Sequence, residues 1–128
     1  MHIIRKIPVK QIITDKSKAK LQTDFLNNQK QLEQECQQLL FEQKKLQQKK
    51  GVSKQEVYKR FQQEITRRRE KIKTIEFQLE QLDILPLGSE IVEGEVESLV
   101  EVEEGYNWDE ITNDKEIIIK DGIVIQLK

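Results

Sequence analysis

The stretch QQKKGVSKQE, residues 47–56, decides the fold, because it holds the one glycine in a long region that otherwise reads as helix. Gly51 can take the left-handed conformation that ends a helix, and Ser53 followed by Glu56 has the spacing of a capping box that starts another. The chain is therefore expected to double back at residues 51–53.

The flanks agree with a turn there. Upstream, Lys16 to Lys50 has neither Gly nor Pro and is rich in Gln, Lys, Glu and Leu, all good helix formers. Phe25, Leu32, Leu39 and Leu46 recur every seven residues, which draws a nearly straight apolar stripe along a helix. Thr14 or Asp15 supplies an N-cap. Downstream, Tyr58, Ile65, Ile72 and Leu79 repeat every seven and interleave with Phe61, Arg68, Ile75 and Leu82, an a/d pattern with one cation in the seam. Folding at residue 52 faces Phe25 with Leu79, Leu32 with Ile72, Leu39 with Ile65, and Leu46 with Tyr58. Four matched layers favour an antiparallel coiled-coil hairpin over a parallel dimer, which would have to run helix through Gly51. The same pairing sets Arg68 opposite Glu35 and Cys36, so a salt bridge with Glu35 is expected to offset the cost of a guanidinium in the seam.

Outside this region the pattern changes. HIIRKIPVKQII, residues 2–13, is β-branched and partly alternating, with Pro8 pointing to an edge strand or a bulge. After Pro86, three runs read as strands: LGSEIVEG, EVESLVEVEEG and KEIIIKDGIVIQLK, the last with Asp121-Gly122 as a hairpin turn. Val96, Val100 and Val102 alternate with Glu95, Glu97, Glu101 and Glu103, giving an apolar and an acidic face. Trp108 is expected to cover the open end of the core. The fold class is thus α+β, a long helical hairpin over residues 14–83 inserted into a small β domain built from residues 1–13 and 84–128. The β domain is expected as four or five strands in a barrel-like or strongly curved sheet.

Charge divides the chain more sharply than its net value of −1 indicates. Residues 1–82 carry 19 Lys and Arg against 10 Asp and Glu, a net +9, and residues 83–128 carry 3 against 13, a net −10. The two halves suit different partners, or each other in a head-to-tail association. A single cysteine, Cys36, and an N-terminus broken by charge point to a reducing, cytoplasmic setting, and no run is long and apolar enough to span a membrane.

Catalytic chemistry finds no constellation to work with. The one histidine is His2, and the sequence has no Ser/His/Asp or Cys/His arrangement, no CxxC, no P-loop and no GxGxxG. The expectation is a non-enzymatic protein with no cofactor and no metal. Two surfaces stand out instead. Lys49, Lys50 and Lys54 at the turn, with Arg60 and Arg67 at outward positions of the second helix, form a candidate RNA contact that would be salt-sensitive and independent of base sequence. Glu56 and Glu70 interrupt it, and Tyr58 is assigned to the seam, which leaves the tip without a stacking aromatic. Phe41 and Phe77, with Leu40 off the stripe, form a candidate protein interface, either with a partner protein or with another copy in a homodimer.

The runs VKQIITDKSK, RREKIKTIEFQLEQLDILPLGSEI, LVEVEEGYNWDEI and IIIKDGIV resemble the YlqD family of small bacterial proteins over essentially the full length. The resemblance brings no catalytic set and no cofactor to these residues. Members are commonly encoded beside genes for ribosome maturation and tRNA methylation, so it implies a link to RNA or the ribosome.

Overall fold

A computed structural model describes residues 1–128, in the order β1 (His2–Ile12), α1 (Asp15–Gln47), α2 (Lys54–Ile84), β2 (Glu90–Glu101), α3 (Trp108–Thr112), β3 (Ile117–Lys120) and β4 (Ile123–Leu127). The chain divides into two compact units, Ala19–Ile84 and the union of Met1–Lys18 with Leu85–Lys128.

The first unit is the helical hairpin. Gly51 turns it at φ 75°, a conformation that costs a side chain about 1–2 kcal/mol. Ser53 starts α2: its Oγ accepts from Glu56 N at 3.4 Å and its carbonyl from Val57 N at 3.1 Å. Across the hairpin, Gln29 Nε2 donates to Glu76 Oε1 at 3.4 Å, Arg68 Nε to Glu35 Oε2 at 3.2 Å, and Gln62 Nε2 to Gln43 Oε1 at 3.2 Å. These pairs run in opposite directions along the two helices, so the arrangement is antiparallel. Ile65 and Ile75 are buried, as is Cys36, whose thiol lies 4.0 Å from the Ile65 carbonyl. The apolar stripe from Phe25 to Leu46 is only half-buried. Beside it runs a second line, Gln22, Gln29, Cys36 and Gln43, which is polar except at Cys36. Gln43 is nevertheless buried, and the hydrogen bond its Oε1 accepts from Gln62 Nε2 satisfies that oxygen there. Tyr58, assigned to the seam by its spacing, is instead exposed. It lies in the first two turns of α2, level with α1 residues that already approach the turn, where little of α1 remains to cover it.

The second unit is an open four-stranded sheet of order β2-β1-β3-β4, not a barrel. Closure would require β2 and β4 to pair, yet these are the two opposite edges, and four strands are too few to close around a packed interior. Two of the three expected runs after Pro86 merge, because β2 continues from Glu90 through Gly94 to Glu101; Gly94 pairs with Val9 and Val92 with Lys10, and Glu93 between them is the extra residue of a bulge. β1 pairs antiparallel with β2 from His2↔Glu101 to Ile12↔Glu90, and parallel with β3 over Val9 to Gln11. Pro8 therefore lies in an interior strand rather than an edge. The position is tolerated because the β3 ladder begins one residue later, so no partner on that side awaits the missing N–H. Asp121 (φ 49°) and Gly122 (φ 79°) make the tight turn between β3 and β4.

Ile13 and Ile118 are the fully buried side chains of this unit. Thr14 caps the start of α1: Ser17 N donates to Thr14 Oγ1 at 3.1 Å and Thr14 N to Ser17 Oγ at 2.8 Å, a reciprocal box with Ser in place of Glu. Lys10 Nζ meets Glu116 Oε1 at 2.6 Å, with Lys128 Nζ 3.6 Å from the other oxygen. The hydrogen bond from Lys10 holds the Glu116 carboxyl below the usual range and raises the Lys10 ammonium in return. Trp108 does not cover a core; it opens α3 with its ring largely in solvent.

Candidate interaction site on the helical hairpin

At the turn, the last residues of α1 and the first of α2 bring Lys49, Lys50 and Lys54 around one shallow recess, joined by Lys44, Gln47 and Gln48. The recess is braced by Gln47 Nε2, which donates to Lys54 O at 3.1 Å, and by Lys49 N, which donates to Leu46 O at 3.2 Å. The three lysines project into solvent. Arg67 belongs to a neighbouring groove along α2, lined also by Tyr58, Lys59, Gln62, Gln63, Thr66 and Glu70. Its guanidinium is 3.4 Å from Glu64. Arg60 is exposed but lies outside both concavities. The sequence therefore named the cations of the tip and missed its aromatic. Tyr58 is 54% exposed and shares a groove with Lys59 and Arg67. Its place in the seven-residue repeat masked it; its nearness to the helix start was the signal that could have revealed it.

Arg68 is not part of this surface. It is held at the seam by Glu35 and, at 2.9 Å, by Glu64 one turn earlier on its own helix. The bond to Glu64 raises the guanidinium pKa and lowers that of Glu64, so the group is satisfied internally. No three His, Cys, Asp or Glu residues are grouped to hold a metal ion, and no helix is long and apolar enough to cross a membrane.

Phe41 and Phe77 are 63% and 60% exposed. The fold does not bring them together. The cross-helix pairs, whose numbers sum to 103–105, put Phe77 level with Leu26 and Phe41 level with Gln62. Leu26 is exposed as well, whereas Leu40 is half-buried. Phe41 lies fifteen residues beyond Leu26 on α1, about 22 Å at about 1.5 Å per residue. The exposed apolar side chains are thus dispersed, Leu26 and Phe41 on α1 and Phe77 on α2, with Leu40 half-buried beside Phe41.

The family described as YlqD protein matches residues 1–128. The chain belongs to the YlqD family. Its similarity extends to the "Uncharacterized protein YlqD" of Bacillus subtilis (strain 168), 40% identical over 128 residues, which are 100% of this chain and 98% of that protein. A crystal structure of a protein of unknown function from Synechococcus sp. WH 8102 shares the fold, with a TM-score of 0.83 over 100% of this chain and 94% of that one at 18% identity. Neither protein is described with an activity, so the surfaces above rest on their own chemistry.

Proposed function

We propose that this YlqD-family protein is a non-enzymatic interaction protein whose hairpin is the contact element, docking a helical segment of a partner protein. The observation that carries the reading is the exposure of Phe41 and Phe77 on the outer sides of two helices. Two large aromatics left in water on a surface otherwise dense in charge are candidate docking points. Each aromatic stands on its own helix, and an exposed ring on a helix surface suits insertion between the side chains of a partner that is itself a helix. A photo-crosslinking residue at Phe41 or Phe77 should give one defined protein adduct in cells, and the same residue at exposed Lys30 should give none. If all three positions give the same adducts, the reading fails. The version in which the partner is another copy has its own check: a sedimentation profile that is monomeric and unchanged by Phe41→Ala with Phe77→Ala rejects it.

A second reading, RNA contact through the tip, is favoured by Tyr58. An exposed ring beside Lys59 and Arg67, next to the recess of Lys49, Lys50 and Lys54, provides both the base-stacking platform and the phosphate-neutralising cations of a single-strand contact. Retention of the protein on RNA should fall steeply with salt and drop on Lys49→Glu, Lys50→Glu and Lys54→Glu. A wild-type protein that passes an RNA column at low salt eliminates this reading.

A further inference from the structure

Residues 101–114, EVEEGYNWDEITND, carry six carboxylates and no cation. The segment is fixed in place. Val102 N donates to the Met1 carbonyl at 2.7 Å and Tyr106 N to the Glu103 carbonyl at 3.2 Å. Asn107 Oδ1 accepts from Asp109 N at 2.9 Å and Glu110 N at 3.4 Å, capping α3. At the far end the Arg5 guanidinium donates to the Ile111 and Asn113 carbonyls, which ties the segment to β1. On this braced turn Tyr106 is 51% exposed and Trp108 61%, and Gly105, Tyr106, Asn107, Glu110 and Ile111 line a small recess.

Aromatic faces attract ammonium and guanidinium groups, and carboxylates bind the same groups by charge-assisted hydrogen bonds. A fixed turn that offers both has the chemistry to hold cationic side chains and to repel anions. The chain itself contains the complementary piece. Residues 44–60, spanning the hairpin turn, carry seven Lys and Arg against the single acid Glu56. We propose that the acidic aromatic turn of one molecule docks the basic hairpin tip of a second copy. This is a self-association separate from the Phe41 and Phe77 face, and it sets the tip's own carboxylate partner in competition with any polyanion.

Trp108 is the only tryptophan and so reports on its own surroundings. In the full-length protein at low salt, its emission should shift with protein concentration in step with a rise in sedimentation coefficient. The association constant should fall at least tenfold between about 50 and 300 mM salt, because exposed charges are screened over about 8–10 Å. A tip variant, Lys49→Glu with Lys50→Glu and Lys54→Glu, and a turn variant, Glu103→Lys with Glu104→Lys and Glu110→Lys, should each stay monomeric. Mixed together they should associate again, since the unaltered acidic turn of the tip variant then meets the unaltered basic tip of the turn variant. Circular dichroism that matches wild type shows that each variant is folded. Trp108→Ala, with every carboxylate retained, should weaken association about tenfold. Failure of the folded variants to associate on mixing overturns the proposal. So does an emission shift independent of concentration, which would place the tip against the turn of its own chain, and so does full association of Trp108→Ala, which would reduce the contact to diffuse charge attraction.

Discussion

In the hairpin, Ile65 of α2 is buried beside Cys36 of α1, and the helices are registered by Gln43 with Gln62, Glu35 with Arg68, and Gln29 with Glu76. In the sheet unit, Ile13 and Ile118 are buried in a structure held by backbone ladders, with the Lys10–Glu116 ion pair at its side. The contrast teaches that one chain uses side-chain bonds to fix alignment where the backbone cannot, because helices satisfy their backbone internally and sheets satisfy theirs with neighbours. Alignment in the hairpin is then a property of a few polar pairs, and alignment in the sheet is a property of the ladder.

The comparison breaks first at its apolar centres. Ile118→Ala in the sheet and Ile65→Ala in the hairpin, both at fully buried sites, should each cost about 2–5 kcal/mol in urea unfolding. A much smaller loss at Ile65 would mean that the polar pairs and not the apolar side chains hold the hairpin. Next comes the corner: Gly51→Ala puts a Cβ at φ 75° and should cost about 1–2 kcal/mol, read as a lower urea midpoint with helix content retained. An unchanged midpoint would show that the turn relaxes freely.

The ion pair of the sheet unit sharpens the comparison through pH. Glu116 titrates below its ordinary 4.5 when folded, so its contribution is present above that value and is lost as pH falls through the lower folded value. Lys10 is raised above its ordinary 10.5, so its share is present below 10.5 and disappears as pH rises beyond the raised value. Glu116→Gln should therefore lower the melting temperature at neutral pH, with the gap to wild type closing well below pH 4.5. A gap that persists in strong acid would assign the loss to packing. The smallest effect belongs to the amide pair: replacing Gln43 and Gln62 together by Leu should change stability by about 1 kcal/mol or less, since a satisfied polar pair and an apolar one of similar volume are nearly equivalent. Its more telling readout is alignment, because cross-linking between engineered cysteines at 29 and 76 should become less selective when the amides are gone.

How much of this could be read in the residues follows the same division. The hairpin was legible because its determinants are local: Gly51 and Ser53 mark the turn, and repeats of seven report the seam. The exposure of Tyr58 was not legible, since a repeat records which way a side chain points and not whether a partner helix still runs beside it. In the sheet the strands were legible but their order was not. The parallel β1–β3 pairing depends on contacts between residues more than a hundred positions apart, and the openness of the sheet follows from which strands take the edges. The tip lysines were named from sequence, whereas Tyr106 and Trp108 as an exposed pair were not, because aromatic residues after a strand read equally well as the lid of a core.

The ladder between β1 and β2 has a consequence for how the protein is made. Ile12 must wait for Glu90, 78 residues later, before its first β2 partner exists. At translation rates of about 5–20 residues per second the delay is about 4–16 s. Throughout it an eleven-residue β-branched segment sits on the nascent chain with nothing to pair with. Arg5, Lys6, Pro8 and Lys10 interrupt that segment at short intervals, as residues that keep an unaccompanied strand from sticking to its neighbours do. The charges of β1 thus protect a newborn polypeptide through the seconds in which it has no fold to protect it.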